Sequence, residues 1–396
     1  MSKVDIIAHS RVRFPPFEST IKIAKYLPIV ERNIVTYSNI EEEDLSIYQN
    51  QIRPPIKLGS EDSWLIQREL RIRKKDGTIE EWITNHFGML DESEMPAIVK
   101  RQRDGWYLQP NPIHKIARKF IGVAVGLLLI GLFYQTIEPA LVALDILSEP
   151  LAGGIQFGFL DYPFLVVFIG PLMLIPIIMR LGANLRDLLR QKQFLNNSPL
   201  KPFIEITETP TSDKPLKGYF KLPEIRSDWN TVQIGWHVGA LPPAREVVLD
   251  ALDRRDGRQP PPGYTTVLPH YWEAGLSDGT GDGEETPVQR IDAPGGLFLT
   301  PMRIYQPGSS CEIDAKGSEF SLDPPIGNWP GSEYGEMIRI HWEVVIRIDR
   351  AQHGPLFWIM PLRVKHGDQK FIVEDLKVND GRIEDSPNWT LQRPGD

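Results

Sequence analysis

No Lys or Arg occurs from Phe120 through Met179, and cations crowd both edges of that window. His114, Lys115, Arg118 and Lys119 precede it; Arg180, Arg186, Arg190 and Lys192 follow. Inside lie two apolar runs, Ile121–Tyr134 and Phe164–Met179, and the charges between them are all acidic: Glu138, Asp145, Glu149 and Asp161. A stretch without cations, long enough to cross the hydrocarbon layer twice, reads as a transmembrane helical hairpin with both ends on the cation-rich, cytoplasmic side. The expected membrane segment is 111–195, with helices over about 113–137 and 163–190 and a short acidic external loop.

Within it, the basic flanks are the first candidate sites. Lys115, Arg118, Lys119, Arg180, Arg186, Arg190 and Lys192 would meet one leaflet, each contributing about 1 kcal/mol with anionic lipid. Gly122 and Gly126 form a G-x-x-x-G pair with Gly131 near their face, a pattern that lets helix backbones approach closely. Pro171 and Pro176 remove two backbone donors from the second helix and mark a candidate hinge. The run Ala140–Leu147 is too short to span and suits the outer interface, with Tyr134 and Tyr162 at headgroup depth. Neither apolar run holds an ionisable residue, so one copy lacks the groups of a proton or ion path.

The rest of the chain is a different material. Its mean hydropathy of −0.25 over 396 residues makes the membrane part a minority, and 35 prolines with 32 glycines suit loop-rich β structure. The net charge of −8, concentrated after residue 200, argues against nucleic acid, whose binding needs a basic surface. A single cysteine, Cys311, excludes an internal disulfide and a multi-thiolate zinc site and agrees with a reducing cytoplasm. The N-terminus has no apolar stretch after its charges, so targeting is expected from the hairpin itself.

Residues 1–110 read as a small β-rich domain. Trp64, Ile66, Leu70 and Ile72 share one parity, the Lys75-Asp76-Gly77 turn follows, and Thr78–Thr84 returns as the partner strand. Thr20–Tyr26 and Ile34–Tyr37 are further expected strands, and Glu41–Ile47 a short acidic helix. Residues 196–216 read as a linker, 217–378 as an antiparallel β-sandwich and 379–396 as a polar tail. In the sandwich the clearest strand is Met337–Asp349. Ile338, Ile340, Trp342, Val344, Ile346 and Ile348 alternate with Arg339, His341, Glu343 and Arg347, as in a half-buried strand. Val232, Ile234, Trp236 and Val238 repeat the pattern. Other strands are expected at Gly218–Leu222, Val247–Leu252, Leu297–Ile304, Ser318–Leu322, Leu356–Val364 and Lys370–Val373, with a polar surface loop from Arg254 to Ala293.

The order of these pieces carries a resemblance. Gly218–Phe220, a Trp-bearing strand, Tyr271-Trp272-Glu273, the Gln306-Pro307-Gly308 turn, Phe320–Pro325, Ile338–Ile348 and Phe357–Val364 follow one another over residues 217–365. This resembles the arrestin-like β-sandwich of bacterial two-helix membrane proteins. The resemblance implies a protein-interaction module without an active site.

Chemistry-bearing motifs are sparse. The eight histidines (His9, His86, His114, His237, His270, His341, His353 and His366) form no close ligand pair. His237 and His341 each adjoin a Trp on a strand and are candidate neighbours on one sheet face, for a metal or a pH response or simply as polar-face residues. Asp278–Glu285 offers hard oxygen ligands but not EF-hand spacing, and reads as a solvated acidic loop. Phosphate-loop, dinucleotide and nucleophile-elbow motifs do not occur, and Cys311 reads as inert. No catalytic, cofactor or metal residue is assigned, and no cofactor is expected. The expected function is a membrane-anchored interaction or scaffold protein, or a non-catalytic subunit of an inner-membrane complex. Its partners would be membrane lipids and a protein or further copies of itself. The alternative is an oligomeric, pore-forming effector gated by its soluble part, as in a defence system.

Overall fold

In a computed structural model, the structure describes residues 3–15, 21–49, 52–82, 95–147, 154–157, 160–251, 298–299, 301–351 and 353–379. The acidic loop Asp278–Glu285, the Tyr271–Glu273 motif, His86, His270 and the tail from residue 380 lie outside them. The chain forms two compact units, Met1–Gln109 with Pro199–Asp396, and Pro110–Ser198.

The N-terminal stretch contributes β1 (Lys3–Arg13), β2 (Val30–Glu41), β3 (Ile56–Gly59), β4 (Leu65–Lys74), β5 (Ile79–Glu81) and β6 (Gly105–Leu108). Helices α1 (Leu45–Tyr48) and α2 (Ala97–Gln102) interrupt it. The second unit follows with α3 (Ile113–Ala143), β7 (Gly154–Phe157), β8 (Leu160–Pro163) and α4 (Phe164–Asn196). Then come β9 (Phe203–Ile206), β10 (Leu216–Lys221), β11 (Trp229–Leu241), α5 (Arg245–Ala251), β12 (Ile304–Glu312) and β13 (Ser318–Leu322). The chain finishes with β14 (Glu333–Tyr334), β15 (Arg339–Arg350), β16 (Leu356–Leu362) and β17 (Phe371–Val373).

Unit one is β-rich, with strand orders β17-β3-β4-β1-β2, β12-β11-β15-β16-β6 and β13-β10-β9 among the described residues. Strands are exchanged between its two stretches of chain. β6 pairs with β16, setting Trp106 opposite Trp358 with ring centroids 5.1 Å apart. In return β17 lies parallel to β3. The stretches read from sequence as two domains, 1–110 and 217–378, therefore share their sheets. β6 is the short run Gly-Trp-Tyr-Leu, buried throughout, and a run that short carries no period to read. Part of the expected linker is β9, paired with β10.

Other expectations meet mixed outcomes. The β4–β5 hairpin turns where expected: Gly77 takes φ +87°, and Asp76 Oδ1 accepts the Thr78 N–H at 2.9 Å. Glu42–Asp44 forms a 3-10 turn that leads into α1. Ile21–Tyr26 is a 3-10 helix rather than a strand, and the expected strand at Val247–Leu252 falls largely in α5. There the Val248 N–H turns back to the Ala244 carbonyl at 3.1 Å. Short apolar runs suit either period, and Pro242-Pro243 ends strand pairing just before α5. β12 starts only at Ile304 and includes the Gln306-Pro307-Gly308 turn. Pro307 lies opposite His237 at a register shift, where a residue without an N–H is tolerated.

β15 departs most from its expected environment. Ile340 through Ile346 is buried on both faces, not one. Trp236, Trp342, Trp64 and Trp329 are core residues, each no more than 2% exposed.

In unit two, α3 and α4 run antiparallel, as shown by the first turn of α3 meeting Asp187 near the end of α4. Buried positions on α3 include His114, Ala117, Ala124 and Glu138; on α4 they include Pro176, Ala183 and Asp187. Their spacing is close to the heptad of a helix-pair seam, filled here by small or polar side chains. Large apolar residues point away from it, including Phe133 at 68% and Ile130 at 65% exposed. α3 is long and apolar enough to cross a membrane; at 1.5 Å per residue it is about 46 Å long. It continues through Glu138-Pro139 to Ala143, past the expected end at 137. α4 is one helix through both Pro171 and Pro176, and the Pro176 ring is buried in the seam. Between the helices, β7 and β8 form an unexpected antiparallel pair.

Candidate functional site

Strand alternation places His341, Glu343 and Val345 on one face of β15. The β11 register sets His237 directly opposite Glu343 and Gly239 opposite His341. β12 adds Tyr305, paired with Gly239. A Cβ on Gly239 would come 2.7 Å from the Ile304 carbonyl oxygen and nearer still to the Met302 sulfur. Glycine is what lets this segment cross over the row.

Glu343 is the centre of the group and is fully buried, as is His341, with His237 and Arg103 each 1% exposed. Arg103, just after α2, grips the carboxylate with both ends of its fork, Nε to Oε2 at 2.6 Å and Nη2 to Oε1 at 2.7 Å. His341 Nε2 lies 3.2 Å from Oε2, and His237 Nε2 3.4 Å from Oε1. Tyr334 Oη is 2.7 Å from His341 Nδ1. The network assigns a neutral His341 that donates through Nε2 to Glu343 and accepts the Tyr334 hydroxyl at Nδ1. The Tyr305 ring meets His237 edge-on at 5.0 Å.

The electrostatics agree with this assignment. Burial pushes the Glu343 carboxyl up, but the Arg103 guanidinium, with help from the histidines, holds it well below the usual carboxylate range. Burial pushes both His237 and His341 down, against the pull of Glu343. One guanidinium, one carboxylate and two neutral imidazoles leave no net charge. Both carboxylate oxygens are occupied and the group is closed to solvent, so what it can do chemically is fix the covering segment onto the sheet. Among the described residues, no three or more His, Cys, Asp or Glu side chains are arranged to hold a metal ion.

No protein-family model matches this chain, and no curated protein does so.

His237 and His341, which from sequence were candidate neighbours or simply separate polar-face residues, lie on one face with Glu343 between them, and that face is interior. Sequence reasoning missed Arg103, which is 240 residues from its partner and carries no local signal. A usable signal did exist: Val345 is apolar on the parity of His341 and Glu343, which a solvent-facing row would not favour. Cys311 is half-buried on β12, and burial pushes its thiol up, away from the reactive thiolate.

The expected membrane residues divide. Lys115, Lys119, Arg180, Arg186 and Lys192 are exposed, and Arg118 partly so. Arg190 instead turns to Asp187, Nη1 to Oδ1 at 2.8 Å, in a cluster where Asp187 also accepts the Asn111 backbone N–H at 3.0 Å and meets His114 Nε2 at 3.1 Å. This ties the start of α3 to α4. Gly131 follows the seam spacing, whereas Gly122 is exposed, and added Cβ atoms on Gly122 and Gly126 would meet nothing within 4 Å. The G-x-x-x-G pair is thus not what packs α3 on α4; alanines do that. Pro171 is exposed.

Proposed function

We propose that the chain is a two-pass membrane protein of the bacterial inner membrane, with both termini cytoplasmic. α3 and α4 would cross as a hairpin, and the β-rich unit would act as a non-catalytic interaction module, a scaffold or a subunit of a membrane complex. The observation that carries this reading is the outward face of the helix pair, where Val123, Ile130, Phe133, Ile178 and Leu181 are all more than half exposed. So continuous an apolar surface needs lipid or protein against it. The exposed cations at one end of the pair supply the orientation. Support for a partner comes from β2, the outermost strand of its sheet, with Ile34 41% and Val35 45% exposed. An apolar strand edge of this kind suits addition of a partner's strand. The arrestin-like reading of residues 217–365 points to the same role.

The test is protease protection with the full-length chain in right-side-out and inverted membrane vesicles, followed by crosslinking. Carbonate-resistant protein, digested only in inverted vesicles, is the expected result. Digestion from the outside, or release by carbonate, overturns it. Partners crosslinked to the wild type and lost on Val35→Lys would locate docking at β2.

The second reading, an oligomeric pore-forming effector, is favoured by the open face at Gly122 and Gly126. It expects ion leakage on expression, removed by Gly122→Leu. A tight membrane at high expression would reject it.

A further inference from the structure

The β-rich unit contains a second buried carboxylate, and its charge is not balanced as that of Glu343 is. Glu333, at the start of the β14–β15 corner, is 3% exposed and accepts a two-pronged grip from Arg68, itself 4% exposed. Arg68 is further satisfied by the Pro54 carbonyl, at 2.9 Å from Nε and 2.6 Å from Nη2. A second guanidinium, Arg53, reaches the same carboxylate only through Nη1 at 3.3 Å. Its side chain is 43% exposed, and most of its N–H donors are left over. Burial pushes Glu333 up, but Arg68 and then Arg53 hold it ionised. Nearby His366 is pushed down to about 4, first by burial, and so adds no charge at neutral pH. Two guanidiniums against one carboxylate leave an excess of one positive charge.

That excess faces a cavity of about 300 Å³, bounded by β1, β2 and the β14–β15 corner. Ile34, Ile52, Met337 and Ile338 supply apolar wall, and Ser10 and Thr36 supply hydroxyls. Ile52, Met337 and Ile338 are each less than 5% exposed and form the inner wall, while Ile34, Thr36, Arg53 and Glu336 stand at its open side. The other charged residue of the lining, Glu336, is an exposed side chain paired at 2.8 Å with Arg32, which lies outside the lining. The volume falls at the small end of ligand sites, which are mostly apolar with a few convergent polar groups.

We propose that this cavity binds a small monocarboxylate with an apolar body, its carboxylate on Arg53 and its body against Ile52, Met337 and Ile338. A single negative charge balances the site, whereas a dianion would overshoot it. The planar fork of arginine also matches a carboxylate in two-point contact. This inference does not depend on how the chain meets the membrane.

The test is calorimetric titration of the full-length protein in nanodiscs with straight-chain carboxylates from butanoate to decanoate, and with the matching primary alcohols. Saturable binding is expected to tighten with chain length up to a limit, with the alcohols at least tenfold weaker. Arg53→Met keeps the bulk and removes the charge at a half-exposed position, and is expected to weaken the best carboxylate at least tenfold with unchanged circular dichroism. Gly335→Ala provides a second variant, since its Cβ would come 2.7 Å from Arg53 Nη1 and displace the guanidinium; it too is expected to weaken binding. No saturable binding by any carboxylate, alcohols that bind as well as the acids, or binding unchanged in Arg53→Met would each overturn the proposal.

Discussion

Along the α3–α4 seam the described buried side chains include Ala117, Ala124 and Ala183 with polar His114, Glu138 and Asp187, while Phe133, Ile130 and Leu189 point outward. In the β-rich unit the order is reversed: Trp236, Trp342, Ile340 and Ile346 are interior. The same composition rules cannot describe both. A unit in water gains by hiding its largest apolar groups. If the helix pair crosses lipid as proposed, it has no such gain, and packing through small residues and polar ties is what is expected of it. Each unit, moreover, fixes its fold with a buried carboxylate, Asp187 in one and Glu343 in the other, so ionic ties are what the two share.

The largest effect that could break this comparison comes from Arg103→Ala. Stranding Glu343 in the core is expected to cost about 3–5 kcal/mol, read as a lower urea midpoint in tryptophan fluorescence. Arg103→Met combined with Glu343→Leu should recover most of that loss, because the pair is then replaced by apolar packing. Recovery no better than the single variant would show that the ion pair itself, rather than the stranded charge, matters.

Ile130→Arg tests the other side. A cation near the middle of a spanning α3 is expected to cost about 2.5–3.5 kcal/mol of insertion, seen as protein released by carbonate. An unchanged membrane fraction would show that α3 faces water or protein there.

Acid comes next. His237 and His341 titrate below their ordinary value when folded, so the unfolded chain binds more protons and stability falls as pH drops below about 6.5. Glu343, held low, adds to the loss at still lower pH, and His366 acts in the same direction. Each histidine contributes up to about 1.4 kcal/mol per pH unit. Urea midpoints should hold from about pH 7.5 to about 6.5 and fall from there to about 4.5, and His341→Gln should flatten the slope. The smallest expected effect is Lys192→Gln, about 1 kcal/mol of affinity for anionic vesicles, measured by co-flotation of the reconstituted protein; Asp187→Asn should not mimic it.

Much of this architecture was legible locally. The two long helices, the Asp76-Gly77 hairpin and strands β11, β13, β15 and β16 follow from period and turn chemistry, which act over a few residues. What was not legible involved distance along the chain. β6 and β17 exchange between stretches that read as separate domains, and Arg103 covers a row of β15 that alternation assigned to solvent. The seam of the helix pair was also hidden, because Gly122 is exposed while Ala117 and Ala124 are buried.

By itself the sequence determined which segments are apolar, which are β and where the cations stop, because periodicity and charge exclusion are properties of neighbouring residues. Only the tertiary structure decided that Glu343 is interior and balanced, that Glu333 is interior with one guanidinium to spare, and which strands close each sheet. The reason is physical: the cost of burying a charge is set by what packs against it. Here the partners arrive from hundreds of residues away.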